Sequence, residues 1–263
     1  TQPAIANAIR ELEKECSINL FNRTKNHMTR TKEGEAFYQK ANQLLDTIKQ
    51  TSSELYDLGK QVIPIKIGIP PLVSTVFFPD MLLDFQRKYP DIPVELFEYG
   101  SVRAARLVQD DILDAAIVNI NFHEIEQLNF YQILSDKIVF CVSKSNPLSK
   151  EKEISVDMLK NEPLIMYNTD SVQNQTLLTL FEKLNIKPHV LLHASQLYTI
   201  QEFIHHNLGG AFLYSSLAKN IKNIVSVPIR PAITQEIGLV WKKGKYINSN
   251  TQKLILFTKS FSL

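Results

Sequence analysis

Phe37, Leu44, Thr51 and Leu58 recur every seven residues, and Ala41, Ile48, Leu55 and Val62 repeat the same interval in the second seam position. A seven-residue apolar repeat on a helix makes a narrow stripe that another helix has to cover. Thr31 is a side-chain cap at the start of this segment, which predicts one long helix from Thr31 to about Lys60. With one copy of the pattern per chain, the covering helix comes from a second chain, and the seam residues are Phe37, Ala41, Leu44, Ile48, Leu55 and Leu58. The alternative is an amphipathic helix lying on its own domain.

Upstream of this helix, Thr1-Gln2-Pro3 combines a cap residue with a proline near the first helical position, and Ile5, Ala8, Ile9 and Leu12 follow at helical spacing. A short amphipathic helix is expected from about Gln2 to Cys16, its outer face carrying Gln2, Ala6, Asn7 and Arg10. Small or planar hydrogen-bonding side chains beside a cation suit an approach to base edges and phosphates. Between Asn22 and Lys32 lie Arg23, Lys25, His27, Arg30 and Lys32 without an acidic residue, a basic hairpin candidate whose plainer reading is a solvated loop. The net charge of +2 does not by itself announce a nucleic-acid partner, so the placement of the charges carries the argument.

Downstream the period changes. Strands are predicted at Ile63 to Ile69, Val94 to Glu98 and Asp114 to Ile120, with helices at Val73 to Tyr89 and about Val102 to Ile112. A second unit begins near Lys137, with strands at Ile138 to Ser143, Leu164 to Tyr167, His189 to His193 and Gly210 to Leu213. Helices at Val172 to Leu184 and Leu197 to His206 separate the last three, and the tail returns with a strand at Glu236 to Trp241 and a helix at Ser249 to Ser260. Alternation of this kind predicts an α/β fold on a largely parallel sheet.

Two cysteines, Cys16 and Cys141, lie far apart without a C-x-x-C pattern and are read as small core residues. His189 and His193 are four apart, but on a strand they stand roughly 13 Å apart at about 3.3 Å per residue, too far to share a metal. No metal and no cofactor are expected, and no G-x-S-x-G, Walker loop or G-x-G-x-x-G is present. Neither a secretory h-region nor a run of eighteen apolar residues occurs, so the cytoplasm is the expected address and no membrane partner is expected.

The segment TQPAIANAIRELEKECSINLFNRTKNHMTRTKEGEAF resembles the second half of the LysR-type winged helix-turn-helix, usually S-Q-P-A-x-S-x-x-I-x-x-L-E, then L-F-x-R, then L-T-x-x-G. The matching residues are Thr1, Gln2, Pro3, Ala4, Ile9, Leu12 and Glu13, then Leu20, Phe21 and Arg23, then Thr31 and Gly34. IGIPPLVSTVFFPDMLLDFQRKYPDIPVEL is similar to the start of that family's effector domain, itself similar to type II periplasmic binding proteins. Leu113-Asp114, Asn146-Pro147-Leu148 and Leu208-Gly209-Gly210-Ala211 match later landmarks. Two positions depart from the pattern, Pro70 where a hydroxyl is common and Tyr214 where a proline often stands.

The resemblance implies a partial winged helix-turn-helix over residues 1–32, a dimerisation helix over 33–61 and a two-lobed effector domain over 62–263. Lobe I is placed at about 62–121 and 228–263, lobe II at about 122–227. It further implies that the chain, starting at Thr1 without an initiator Met, lacks the family's first two DNA-domain helices. The implied partners are double-stranded promoter DNA, a small-molecule effector, a second copy of the chain in a dimer or tetramer, and RNA polymerase.

Within that frame Gln2, Pro3, Asn7 and Arg10 are expected at the DNA groove, with Arg23, Lys25, Arg30 and Lys32 at the backbone. In open α/β sheets ligands sit at the carboxyl ends of strands, which selects Pro71, Leu72, Val73, Ser74, Ser101, Val102 and Asn119 on one lobe, and Tyr167, Asn168, Thr169 and Gln196 on the other. Taken singly, each could equally be a turn or cap residue. No Arg or Lys is among them, so an organic-acid effector is expected to depend on backbone N–H groups and hydroxyls. The competing classes are a solute-binding protein and an enzyme on the same two-lobe fold, the second lacking a catalytic constellation.

Overall fold

The first helix, α1 (Gln2–Cys16), buries none of its side chains completely: Ile9 and Leu12 are half-buried and Ile5 is exposed. These coordinates are a computed structural model that describes residues 2–23, 28–59, 63–75, 77–169 and 171–261. After α1 the chain doubles back through strands β1 (Phe21–Arg23) and β2 (Met28–Arg30), paired antiparallel with Phe21 opposite Arg30. Helix α2 (Lys32–Leu58) follows, about 40 Å long at 1.5 Å per residue.

Among its described residues only Leu20 and Gly34 are fully buried, and this unit is tied by polar contacts. The Glu13 carboxylate accepts from the Leu20 and Phe21 N–H groups at 2.8 and 3.2 Å, holding the end of α1 to the start of the hairpin. The Thr31 hydroxyl accepts from Gly34 N at 2.8 Å, capping α2, and donates to Asn19 O at 2.6 Å. Gly34 is required by a close approach, because a Cβ there would stand 2.0 Å from the Leu20 carbonyl oxygen. The spaced residues of the N-terminal motif are therefore the fasteners of helix, hairpin and helix.

The chain divides into two compact units, Thr1–Gln61 and Val62–Leu263. The second begins with β3 (Ile65–Ile69), α3 (Phe78–Lys88), β4 (Val94–Glu98), α4 (Ser101–Gln109) and β5 (Ala115–Asn119). The chain then enters β6 (Leu128–Ser143), a strand of 16 residues. Next come β7 (Ile154–Ser155), β8 (Pro163–Met166), α5 (Val172–Lys183), β9 (His189–His193), α6 (Leu197–His205), β10 (Gly210–Tyr214) and α7 (Ser215–Ala218). β11 (Ile224–Arg230), β12 (Thr234–Lys242) and α8 (Ser249–Ser260) complete it.

The strand order is β4-β3-β5-β12-β6-β10-β8-β9, with β11 on β6 and β7. β3 is parallel to β4 and β5, and β8 is parallel to β9 and β10, while β12 joins β5 and β6 joins β10 antiparallel, so each lobe has a parallel core on a mixed sheet rather than the largely parallel sheet expected. The long β6 belongs to both: Leu128 to Lys137 pairs with β12, and Ile138 to Ser143 pairs with β10 and β11. In the first lobe Phe85 of α3 meets Phe257 of α8 edge to face at 5.4 Å, and in the second Phe140 packs on Phe212 at 5.0 Å. Each such buried ring contributes about 1.5–3 kcal/mol.

Several elements differ from the sequence reading. The helix expected at Val73 to Tyr89 is a short 3-10 turn, Val73–Thr75, followed by α3 with Pro79 in its first turn. The strand expected at Ile138 is the inner half of β6, whose outer half alternates half-buried and exposed residues and so lacks a continuous apolar signal. β11 was not expected, and it keeps Pro228 on the second lobe's sheet, opposite Val139, rather than opening the return to the first. Cys16 is exposed at the end of α1 instead of buried, whereas Cys141 is buried.

Candidate functional site

The carboxyl ends of the parallel strands of both lobes face a common cleft of about 290 Å³. From the first lobe come Pro70 to Val73 after β3, Glu98 to Ser101 and Arg103 after β4, and Asn119 at the end of β5; from the second come Tyr167 and Asn168 after β8, Ser171 to Gln173 at the start of α5, Ser195 after β9 and Tyr214 at the end of β10. The cleft thus brings together Pro71, Leu72, Val73, Ser101, Asn119, Tyr167 and Asn168 from the sequence candidates.

Ser74, Val102, Thr169 and Gln196 are not in its lining. Ser74 braces the turn from behind, its hydroxyl 2.7 Å from the Pro71 carbonyl and 3.3 Å from Glu98 Oε1. Val102 packs half-buried on α4, the Thr169 carbonyl accepts from Gln175 Nε2, and Gln196 precedes α6 without a side-chain cap bond.

Arg103 corrects the expectation that no cation serves the site. It lies in the first turn of α4, with its guanidinium 4.6 Å over the Tyr99 ring, and both residues line the cleft. The signal was its spacing, two residues after Ser101 in a helix whose first turn faces the cleft. The N-cap of α4 is Gly100, which has no side chain to cap the helix, so its first N–H groups are open to an anion. α5 differs, because the Ser171 hydroxyl accepts from Asn174 N.

The floor is a buried polar network. Asn119 N donates to the Ser101 hydroxyl at 3.0 Å, Tyr214 Oη donates to Gln235 Oε1 at 3.3 Å, and Gln235 Nε2 donates to Thr176 Oγ1 at 3.1 Å. Burial pushes the Tyr214 phenol up to about 12, with the Asp136 charge adding to the shift and the Asn119 hydrogen bond opposing it. Burial likewise holds the Tyr167 phenol well above its ordinary value. Both are neutral hydroxyls at ordinary pH. Among the described residues the second lobe has four buried side-chain atoms without a hydrogen-bond partner: Tyr167 Oη and Gln173 Oε1, on residues that line the cleft, and both amide atoms of Asn174, which does not line it; Gln173 Nε2 donates to the Phe212 carbonyl at 2.8 Å.

In the N-terminal unit Gln2, Pro3, Asn7 and Arg10 are exposed on α1, and Arg10 Nη1 reaches Asn7 Oδ1 at 3.5 Å. Arg23 ends β1, Arg30 ends β2 and Lys32 opens α2; Lys25 lies outside the described residues. Arg30 is engaged within its own unit, 3.2 Å from Glu35 and 4.2 Å over the Tyr38 ring. Along α2, Phe37 and Ala41 are half-buried, while Leu44, Ile48, Leu55 and Leu58 are 61–80% exposed, a row of apolar side chains that the single chain leaves uncovered. Among the described residues no group of His, Cys, Asp and Glu is arranged to hold a metal, and no helix is long and apolar enough to cross a membrane.

An exposed helix and a two-stranded hairpin thus precede a long helix and a two-lobed domain with a polar cleft at its strand ends. Residues 63–261 match the LysR substrate binding domain, and residues 1–35 match the bacterial regulatory helix-turn-helix protein, lysR family. The chain belongs to the LysR family of transcription regulators, which are DNA-binding proteins and not enzymes.

Among its relatives is the HTH-type transcriptional regulator YwbI of Bacillus subtilis, 29% identical over 99% of this chain and 88% of that protein. The effector binding domain of QuiR in complex with shikimate superposes with a TM-score of 0.68 at 19% identity, covering 76% of this chain and 99% of that one. A full-length OxyR variant from Pseudomonas aeruginosa gives 0.67 at 19% identity, over 99% of this chain and 85% of that one. Regulators of this family bind promoter DNA and small-molecule effectors and form oligomers.

Proposed function

We propose that this regulator responds to a small organic acid held between the two lobes of residues 62–263, and that it acts in the cytoplasm as a dimer or tetramer working with RNA polymerase. The observation that carries the effector class is the first-lobe wall, where Arg103 stands beside the uncapped N-terminus of α4. A guanidinium and free backbone N–H groups on one wall are the two commonest ways a protein takes a carboxylate. The cleft volume of about 290 Å³ lies at the small-metabolite end of ligand sites. QuiR, whose effector domain has the same fold, is in complex with the carboxylate shikimate.

The proposed DNA contacts rest on the family match of residues 1–35 and on the exposure of Gln2, Pro3, Asn7, Arg10, Arg30 and Lys32. Gln2, Pro3, Asn7 and Arg10 present the outer face of α1 to the major groove, and Arg23, Lys25, Arg30 and Lys32 hold phosphates from the hairpin and the start of α2. The uncovered row Leu44, Ile48, Leu55 and Leu58, continued by Phe37 and Ala41, pairs with the same row of a second copy.

Thermal denaturation across a panel of organic acids tests the effector class, since a ligand selective for the folded state raises its stability. Acids that raise Tm in the wild type and lose that effect in Arg103→Ala support the reading. A flat melting temperature across the panel contradicts it.

A further inference from the structure

The two walls of the cleft differ in chemistry. The first-lobe wall holds the charges: Arg103, stacked on Tyr99, and Glu98, whose carboxylate accepts from Ser74 at 3.3 Å. On the second-lobe wall the described lining residues carry no charge. Of the five buried side-chain atoms without a partner among the described residues, two belong to this wall, Tyr167 Oη and Gln173 Oε1, on residues 6% and 2% exposed; the others, on Asn174 and Thr251, lie on residues that do not line the cleft. Buried polar groups are nearly always paired, and leaving one unpaired is costly. Two of them on one wall of a ligand cleft mark the place where a ligand completes the pairing.

The atoms specify the group. Gln173 is oriented by its Nε2 bond to the Phe212 carbonyl, so the atom left over is a carbonyl oxygen, which accepts only. Its partner must bring an O–H or N–H. The Tyr167 hydroxyl both donates and accepts. A second carboxylate could take the Tyr167 proton but has nothing to give Gln173. An ammonium could give to both, but it would be buried on a wall whose described residues supply no counter-charge, with Glu98 on the opposite lobe. A neutral hydroxyl accepts from Tyr167 and donates to Gln173.

Resting on the effector reading above, we infer that the effector is a hydroxylated carboxylate, bound with its acid on the Arg103 and α4 wall and its hydroxyl on the Tyr167 and Gln173 wall. The lobes then grip opposite ends of one molecule, and an acid without the hydroxyl engages only the first. Occupancy of the second wall is what distinguishes the effector from plain acids.

Isothermal titration of the full chain with matched acids tests this, using acetate and glycolate, butyrate and gamma-hydroxybutyrate, benzoate and meta-hydroxybenzoate. At least one hydroxylated member is expected to bind about tenfold tighter than its plain partner. Tyr167→Phe and Gln173→Met are each expected to remove most of that preference, read as the ratio of the two Kd values within a pair. Tyr167→Phe breaks no hydrogen bond of the unliganded protein, so it folds and raises Tm while lowering hydroxy-acid affinity, a combination a structural role would not give. Equal binding within every pair, or a preference that survives both substitutions, overturns the inference and leaves the organic-acid reading standing. Binding by no member of any pair overturns both.

Discussion

Asn119 and Gln235 are joined side chain to side chain, Nδ2 to Oε1 at 2.5 Å, with both residues buried. Asn119 ends a first-lobe strand at the cleft, and Gln235 sits on the strand that returns from the second lobe. Gln235 also reaches Thr176 of α5, so one amide links the cleft floor to both lobes. Gln235→Leu is expected to leave Asn119, Tyr214 and Thr176 short of partners and to cost about 1–3 kcal/mol, read as a lower urea midpoint at unchanged slope. An unaltered midpoint would remove the network from the account.

Asp111 is a second, half-buried polar centre, accepting from both Lys242 and Lys245. Burial raises its carboxyl, but the two lysine hydrogen bonds and their charges outweigh this and hold it below the ordinary carboxylate value. A lowered folded value means stability that is present above the ordinary carboxylate range and lost as pH falls through the lowered one. Asp114 is raised, chiefly by burial, and acts in the opposite sense. Asp111→Asn is therefore expected to cost about 1–3 kcal/mol at neutral pH and to flatten the acid limb of the stability profile. Urea midpoints at neutral and acid pH check it.

Gly34→Ala drives a methyl into the Leu20 carbonyl, which already accepts from Thr31 N at 3.0 Å. Backbone on both sides leaves little room to yield, so overpacking is expected to cost about 1–3 kcal/mol. The effect is confined to the N-terminal unit, and hydrogen exchange should show protection lost at the start of α2 and retained in β3 to β5.

The seam makes a plain prediction about mass. Leu44→Glu with Ile48→Glu places carboxylates on the exposed apolar row of α2 without touching a buried residue of the chain. Sedimentation equilibrium is expected to show dissociation at that helix, with helical content in residues 63–261 retained. An assembly of unchanged mass would assign the row another role.

Much of this was legible because local pattern and final structure agree. Thr31, the heptads of α2, the strand at His189 to His193 and the helix at Ser249 to Ser260 are all where periodicity and capping put them. The outer half of β6 and the whole of β11 were not legible, because their burial comes from partners about a hundred residues away or on another strand's far end, as with Leu128 against Lys242. The cleft shows the same division. Strand ends mark its position, which is why Asn119 and Tyr167 could be selected, but the first turns of α4 and α5 that deliver Arg103 and Gln173 depend on how each helix is rotated. That rotation is set by packing, which a single sequence does not display.

The central claim, a DNA-binding regulator answering to an acid in its cleft, is tested most directly by fluorescence anisotropy of the full-length protein on its own promoter DNA across a salt series. The series is run with and without an acid that raises Tm, and with Arg23→Ala beside the wild type. The account predicts tight binding that weakens steeply with salt, a slope shallower by about one in Arg23→Ala with a similar loss on every sequence, and an affinity or footprint that changes when the acid is present. No binding to promoter DNA, or binding unmoved by salt and by the acid, would contradict it.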